Sequence, residues 1–322
     1  MRVGRLAMLA ALVLCVGGSA VAQTDWVINP VEPVLGPGAP GAWDARTRYP
    51  LTVILVDGTY HLYFNGQAQG ASGLGENDIG HATSVDGVNW ETDPANPVLT
   101  RGAAGEWDAA AMWGAPVVHD GSGFHMWYSG CETILDDCRA GYATSPDGTT
   151  WTKHPANPVI DVGPEGSFDD EVVDPQAVVV EGGRYRMWYS TRSSSDIPRS
   201  IGYAESDDGL SWTKHPEPVL EPGLQWETWL YSASVYFDGM HYHMWYTGAA
   251  GTSRASIGYA VSSDGIMWTR YLGNPVVDEG SGTGYEFASV IHNDDAGTYE
   301  MWVRDHSEDS VHRAISDCCS TV

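Results

Sequence analysis

The chain has 322 residues, of which 43% are hydrophobic, and it carries 42 acidic side chains against 16 Lys and Arg. The formal net charge of −26 excludes nucleic acid and anionic membranes as expected partners, because both require a cationic protein face. The hydrophobic content is that of a folded protein, and the one long apolar run, Leu6 to Val16, is too short to span a bilayer.

The N-terminus has the pattern of an export signal. Two arginines precede the apolar run, and a stretch of small residues ends at Ala22, which offers a cleavage site before Gln23. We therefore expect residues 1–22 to be a signal peptide and residues 23–322 to form a single domain. The mature protein is expected to be secreted or periplasmic.

Four cysteines follow the leader, an even number that suits an oxidising compartment. Cys131 and Cys138 fall in one loop between two predicted strands, so their pairing is the first expectation. The vicinal Cys318 and Cys319 would then pair with each other or stay reduced. A metal site built from four thiolates is the alternative, but the paired Cys-x-x-Cys spacing is absent.

One segment, close to Ile-Gly-Tyr-Ala-x-Ser-x-Asp-Gly-x-x-Trp, recurs along the chain. Its four copies end at Trp90, Trp151, Trp212 and Trp268. Each copy is followed by a Pro-Val pair, an aromatic-acid pair, a β-branched run and an aromatic segment such as His125-Met126-Trp127-Tyr128. Aromatic residues at a period of two between Asp-Gly turns predict strands and hairpins. Each unit thus supplies about four short strands, the content of one β-propeller blade.

The number of units predicts an all-β fold, a five-bladed β-propeller of four-stranded blades. The last unit ends near Ile315 without its tryptophan, whereas Trp26 stands at the mature N-terminus without the strands that should precede it. We infer that the N-terminal strand completes the fifth blade and closes the ring. Closure removes an exposed sheet edge.

Residues that recur in every unit are expected to build the blades. In the Ser-x-Asp-Gly-x-x-Trp turn, Asp bonds backbone amides, Gly takes positive φ and Trp packs between blades. An acid also recurs before each predicted innermost strand: Asp44, Asp108, Asp169, Glu227 and Glu286. These acids either cap a turn or line the mouth of the central channel, and the sequence leaves both open.

Positions at which the inner strands differ are better candidates for a site. Alignment on the aromatic segments places at one level Tyr49 or Pro50, Trp113, Asp174, Tyr231 and Ala288. Asp174 is the one acid, and burial beside neighbouring acids should raise its pKa. Trp113 and Trp229 fall outside the repeat, and with the two tyrosines they are suited to stack on a sugar ring. Core packing is the alternative for any one of these aromatic residues.

These motifs resemble the five-bladed propeller glycosidases, the superfamily of arabinanases, β-xylosidases, invertases and levansucrases, over about the whole mature chain. In layout the chain is most similar to glycoside hydrolase family 43, through Trp113-Gly114-Ala115-Pro116 in the second inner strand and Asp174-Pro175 in the third. The resemblance implies that Asp174 tunes a general acid and orients the sugar.

The same resemblance implies a base aspartate in the first blade and an acid glutamate in the fourth. Tyr49 and Tyr231 lie at those places, so two of the three expected carboxylates do not match. Because glycoside cleavage needs an acid and a base, other carboxylates would have to supply the pair. The candidates are Asp44 and Glu227, followed by Glu171.

We therefore predict a secreted glycoside hydrolase that acts on furanoside or xyloside linkages of oligo- or polysaccharides, as a monomer without an organic cofactor. One alternative is a non-catalytic carbohydrate-binding propeller, with Arg46 and Arg48 beside the aromatic residues. A second alternative is a structural or protein-interaction propeller. The resemblance also implies a structural calcium ion, and His292, outside the repeated histidine positions, is the candidate metal ligand in the channel.

Overall fold

The computed structural model describes residues 26–71, 75–134, 136–195, 197–250, 255–278 and 284–317. These residues form 21 strands and no helix, so the predicted all-β fold is confirmed. Within the described segments no helix has the length and hydropathy needed to cross a membrane. The expected signal peptide and the pair Cys318 and Cys319 lie outside the described residues.

The strands are short, as the closely spaced turns predict. In chain order they are β1 Val27–Ile28, β2 Thr47–Val56, β3 Thr59–Gln67, β4 Asn77–Ser84, β5 Glu91–Thr92, β6 Ala111–Trp113, β7 Val117–His119, β8 Phe124–Thr133, β9 Asp136–Ser145, β10 Thr152–Lys153, β11 Val172–Glu181, β12 Arg184–Arg192, β13 Ile201–Ser206, β14 Thr213–Lys214, β15 Trp229–Phe237, β16 Tyr242–Ala249, β17 Ala255–Ser262, β18 Thr269–Arg270, β19 Tyr285–Asn293, β20 Thr298–Asp305 and β21 Ser310–Asp317.

The strands assemble into five antiparallel blades. Blade 1 is β2 to β5, blade 2 is β6 to β10, blade 3 is β11 to β14 and blade 4 is β15 to β18. Blade 5 contains β19, β20, β21 and, as its outer strand, β1, with Val27 opposite Ile315. The predicted ring closure by the N-terminal strand is therefore confirmed. In blade 2, the inner strand is split into β6 and β7, which both pair with β8.

The recurring turns fix each blade against its neighbour. In blade 1, Asp86 Oδ1 accepts hydrogen bonds from the backbone N–H groups of Val88 and Asn89 at 2.9 and 2.8 Å, and Gly87 takes a φ of 71°. The carbonyl of Gly87 accepts a hydrogen bond from Trp302 Nε1 of blade 5 at 2.9 Å. Three further turn glycines accept an equivalent hydrogen bond at their carbonyl oxygen: Gly148 from the Tyr63 hydroxyl, Gly209 from Trp127 Nε1 and Gly265 from Trp188 Nε1. The tryptophan of the turn packs on the same joint, with the Trp90 ring 6.0 Å from the Trp302 ring of blade 5, so the repeated Asp, Gly and Trp are scaffold residues, as expected.

The expected disulfide is also present. Cys131 and Cys138 are bonded and lie on the adjacent strands β8 and β9, both fully buried. Cys138 also pairs in parallel with Val172 at the start of β11, which links blade 2 to blade 3. The bridge therefore stabilises the approach to the inner strand that carries Asp174.

Candidate active site at the mouth of the channel

Strand register identifies the residues that share a level on the five inner strands. Each central aromatic residue of a second strand lies opposite one inner-strand residue: Thr52, Pro116, Ala177, Ser234 and Ser289. Three residues earlier in the sequence, each of these inner-strand residues is preceded by a residue near the start of its strand. We call this set the mouth residues: Tyr49, Trp113, Asp174, Tyr231 and Glu286. In blade 4 the register places Ser232 at this level, and Tyr231 lies in the bulge immediately before it.

The expected position of Ala288 at this level is wrong, because Glu286 occupies it. In β19, Glu286 pairs with Arg304, and the register then shifts before Ser289 pairs with Trp302. Glu286 precedes its central aromatic residue, Trp302, by only 16 positions, whereas the other recurring acids precede theirs by 18 or 19. Glu286 is thus not the counterpart of Glu227, and the mouth contains two acids.

Asp174 lies where blades 2 and 3 approach each other most closely. A Cβ atom at Gly114 would overlap the carbonyl oxygen of Pro175 and lie 2.5 Å from Asp174 Oδ1, so only glycine permits this approach. Asp174 Oδ1 is buried and has no hydrogen-bond partner. Burial raises the pKa of Asp174 to about 8, although the Arg199 charge, the Gln176 amide and the Gly114 N–H lower it. The expected rise is present, and burial rather than neighbouring acids causes it.

Glu286 has the opposite environment. Its Oε2 accepts a hydrogen bond from the Tyr231 hydroxyl at 2.7 Å, and its Oε1 contacts Arg304 and, at 3.1 Å, His306 Nδ1. Burial raises the pKa of Glu286, but the His306 hydrogen bond, the Arg304 charge and the Tyr231 hydroxyl outweigh it, so the pKa lies below its ordinary value. Glu286 is therefore a buried carboxylate at neutral pH.

Aromatic rings pack against one another beside Glu286. Phe287 packs edge-on against Tyr49 and Tyr231, with ring centroids 5.4 and 5.6 Å apart. Its φ of 54° lies in the left-handed region, where a bulky side chain is strained, and its backbone N–H donates to Thr247 Oγ1 at 3.1 Å. Arg304 lies over the Tyr49 ring at 4.2 Å. The strained Phe287 is therefore held against the two tyrosine rings, next to Glu286.

An arginine that the sequence analysis did not select completes this surface. The Arg199 guanidinium lies 6.0 Å above the ring of Trp229, which is 40% exposed, and the Arg199 carbonyl accepts a hydrogen bond from Leu230 N–H. Arg199 also lies close enough to Asp174 to lower its pKa. Trp113 is half-buried, and its Nε1 has no hydrogen-bond partner among the described residues.

The two acids expected to replace the missing carboxylates lie in buried ion pairs. Asp44 accepts a hydrogen bond from Arg48 Nε at 2.8 Å. Glu227 contacts Arg270 Nε at 2.8 Å and accepts backbone bonds from Gly223 and Leu224. Asp108 and Asp169 repeat the arrangement with Lys153 and Lys214. The recurring acids of blades 1 to 4 thus share one ion-paired arrangement, and a catalytic role for Asp44 and Glu227 stays a prediction.

The remaining candidates lie around the mouth without joining the two acids. Glu171 is half-buried, immediately precedes β11 and contacts Arg192 Nε at 3.2 Å. Arg46 is exposed and donates to Gln67 Oε1 at 2.7 Å. Arg48 is held by Asp44 and by the Gly36 carbonyl. Their roles in catalysis or sugar binding stay predictions.

His292 lies at the other end of the channel. It lines an axial cavity of about 280 Å³, and its Nδ1 contacts Asp294 Oδ1 at 2.7 Å. The described lining of this cavity has no carboxylate, so the calcium ion that the resemblance implies would find only neutral oxygens there, such as those of Thr52, Gln176 and Ser234. Among the described residues, three side chains lie close enough for a shared metal ion, and they are on blade 5: Asp305, Glu308 and His312. The metal predictions stay predictions.

The two mouth acids have the protonation states of an acid and base pair. Asp174 holds its proton at neutral pH, whereas Glu286 is ionised. Environments that push two carboxyl pKa values apart are typical of glycosidase sites, where one group protonates the leaving oxygen and the other activates water or attacks carbon. Tyr231 donates a hydrogen bond to Glu286, and the Arg199 charge lowers the pKa of both Asp174 and Tyr231 against the effect of burial.

Two family models match parts of this chain. Residues 49–198 match the N-terminal domain of glycosyl hydrolases family 32. Residues 167–279 match β-1,4-mannooligosaccharide phosphorylase, glycoside hydrolase family 130. Both matched segments include Asp174.

Known proteins resemble the chain over most of its length. An uncharacterized protein of Mycobacterium tuberculosis is 27% identical over 241 residues, which is 72% of this chain and 77% of that protein. A glycosyl hydrolase from Bacteroides ovatus has a TM-score of 0.70 at 16% identity, over 92% of this chain and 94% of that one. A family 32 β-fructofuranosidase from Bombyx mori has a TM-score of 0.66 at 18% identity, over 91% and 65%. The chain therefore has the fold of the five-bladed propeller glycosidases, and the resemblance noted in the sequence is confirmed.

Proposed function

From the fold of the five-bladed propeller glycosidases, we propose that this chain is a glycoside hydrolase that cleaves furanoside or xyloside linkages of oligo- or polysaccharides at the channel mouth. The observation that carries the proposal is the pair of inner-strand acids, Asp174 and Glu286, whose pKa values are displaced in opposite directions. The enzyme acts as an exported monomer without an organic cofactor. The buried Cys131–Cys138 disulfide is consistent with an oxidising compartment.

Each acid has a defined task in the proposed reaction. Asp174 transfers its proton to the glycosidic oxygen as the bond from that oxygen to the anomeric carbon breaks. Glu286 accepts a proton from a water molecule whose oxygen bonds to the anomeric carbon, or it attacks that carbon itself. The choice between these two routes sets inversion or retention of configuration.

The aromatic residues supply the sugar platform. Trp229 is exposed beside the mouth, and Tyr49, Tyr231 and the half-buried Trp113 lie at the level of the acids. Aromatic rings stack on the apolar faces of sugars, and convergent polar groups then fix their orientation. This arrangement supports binding of one sugar ring against Trp229 and the next between the two acids.

The decisive experiment measures hydrolysis by residues 23–322 of aryl α-L-arabinofuranoside, aryl β-xyloside, sucrose and levan. Asp174→Asn and Glu286→Gln should each lower kcat/KM by at least about a hundredfold, because they remove the proton donor and the base. Glu286→Asp keeps the charge beside Arg304 and should retain part of the activity. Glu217→Gln, an exposed acid on blade 3, is the matched control and should leave activity unchanged.

Turnover that survives both Asp174→Asn and Glu286→Gln in folded protein would overturn this assignment of acid and base. Absence of turnover on all four substrates would remove the proposal for these linkages.

A non-catalytic carbohydrate-binding propeller is the second candidate function. Both oxygens of Glu286 already contact partners, Oε1 with Arg304 and His306 and Oε2 with Tyr231. A carboxylate held in this way is suited to order a binding surface as well as to accept a proton. Binding of arabino- or xylo-oligosaccharides without turnover, lost in Trp229→Ala, would support this candidate.

A further inference from the structure

Arg199 differs from the other arginines in the described part of the chain. Nine of them form ion pairs with Asp or Glu: Arg48, Arg101, Arg139, Arg184, Arg186, Arg192, Arg270, Arg304 and Arg313. The guanidinium of Arg199 makes no ion pair or hydrogen bond with any described residue. Instead it makes a cation–π contact with the face of Trp229. In a chain with a net charge of −26, an arginine without an acidic partner is unexpected.

The charges around Arg199 leave its own charge uncompensated. Burial lowers the pKa of Arg199, and the nearby Arg192 charge lowers it further. Asp174 and Tyr231 face it, but both are neutral at pH 7 because burial raises their pKa values. Glu171 also faces it and is already paired with Arg192. A bound anion would therefore be stabilised here by a guanidinium that the protein has not neutralised.

We propose that the mouth binds a sugar unit that carries a carboxylate, with its ring on Trp229 and its carboxylate paired with Arg199. The planar guanidinium offers two parallel N–H donors that match a carboxylate, and the exposed indole beside it offers the stacking surface. This inference rests on the proposed function, since it names the substrate class of the same mouth. The cleaved furanoside or xyloside linkage is then one that joins a neutral sugar to a uronic acid.

The test is calorimetric binding of digalacturonic acid and of its neutral methyl ester to residues 23–322. The acid should bind at least about tenfold more tightly than the ester, as a charge-assisted bidentate contact provides. The strongly negative net charge opposes this preference, so overall charge cannot produce it. Raising the salt concentration should reduce the preference without reversing it.

Variants of Arg199 locate the effect. Arg199→Gln should abolish the preference for the acid, and Arg199→Lys should retain only part of it, because lysine keeps the charge but loses the planar pair of donors. Arg184→Gln is the matched control. Arg184 begins β12, whereas Arg199 follows the end of that strand, and the substitution removes the same charge but should leave the preference unchanged. Because the Arg199 side chain makes no hydrogen bond to a described residue, its replacement should not prevent folding.

Equal affinity for acid and ester, no binding of either, or a preference that survives Arg199→Gln would each overturn the inference. Failure of the inference is distinguishable from failure of the proposed function. Hydrolysis of neutral furanosides that depends on Asp174, without a preference for the acid, would leave the proposed function standing and remove this inference. A preference that depends on Arg199, without turnover of any substrate, would do the reverse.

Discussion

Asp169 precedes β11 and Asp174 lies within it, only five residues later, yet the two side chains have opposite surroundings. Asp169 is buried and compensated, with Lys214 Nζ at 2.7 Å and the Tyr189 hydroxyl at 3.1 Å. Blade 2 repeats this set around Asp108, with Lys153 and Tyr128. Asp174 has no acidic counterpart at its level in blades 1, 2 and 4, and its Oδ1 has no hydrogen-bond partner. The contrast separates acids whose buried charge is paired with a lysine from an acid whose carboxyl group is desolvated and has no such partner.

The largest effect on stability is expected from the compensated acid. Asp169→Ala leaves the Lys214 ammonium without its counter-charge and the buried Tyr189 hydroxyl without its acceptor, so the free energy of unfolding should fall by about 3 kcal/mol. Urea unfolding followed by tryptophan fluorescence measures it. Asp207→Ala removes a highly exposed acid from the same blade and should change little. Equal effects of the two substitutions would contradict the structural role of Asp169.

Asp174→Asn should act in the other direction and stabilise the protein at neutral pH. The amide cannot ionise, so it escapes the penalty that burial imposes on the carboxylate. The expected gain in unfolding free energy at pH 7 is on the order of 2 kcal/mol, because partial exposure of Asp174 reduces the full linkage value. A variant that is less stable than the wild type at pH 7 would show that the carboxylate is held by favourable contacts.

The pH dependence of this gain follows from the sign of the shift. The folded pKa of Asp174, about 8, lies above the ordinary value that applies in the unfolded chain. Between these two values the unfolded chain releases the proton while the folded protein keeps it, so the wild type loses stability as pH rises. The difference between Asp174→Asn and wild type should therefore vanish near pH 3 and grow until about pH 8. A constant difference across this range would exclude the raised pKa.

Much of the fold was predictable because its determinants are local and repeated. The Asp-Gly turn and its tryptophan recur at a nearly constant interval, and each turn closes on contacts within a few residues, such as Asp86 with Val88. Five units and a leftover strand at Trp26 then leave one way to complete the ring. The Cys131–Cys138 pair was predictable for the same reason, since both cysteines belong to one hairpin.

The site was less predictable because its partners come from different blades. Tyr285-Glu286 looks like the recurring aromatic-acid pair, and only its shorter distance to Trp302 indicates a different register. Arg199 lies between β12 and β13 and has no counterpart in the repeat. Only the packing of blade 3 on blade 4 brings it to Trp229. Repetition identifies the scaffold, whereas residues that meet across blades depend on the assembled ring.

The smallest predicted effect concerns the hydrogen bond between neighbouring blades, which is absent next to the ring closure. Trp127 Nε1 donates to the Gly209 carbonyl of the next blade at 2.7 Å, whereas Trp245 Nε1, which faces the closure at Trp26, has no hydrogen-bond partner among the described residues. Trp127→Phe and Trp245→Phe remove the same ring area from fully buried positions.

Only Trp127→Phe also removes a hydrogen bond, since the Gly209 carbonyl then keeps only the bond from Trp212 Nε1 at 3.0 Å. It should therefore lower the free energy of unfolding by about 1 kcal/mol more than Trp245→Phe, measured by urea unfolding under identical conditions. Equal losses would mean that the inter-blade hydrogen bond adds nothing to ring packing. The closure at Trp26 would then be as stable as the four joints that contain this hydrogen bond, and stacking of the rings would account for all five.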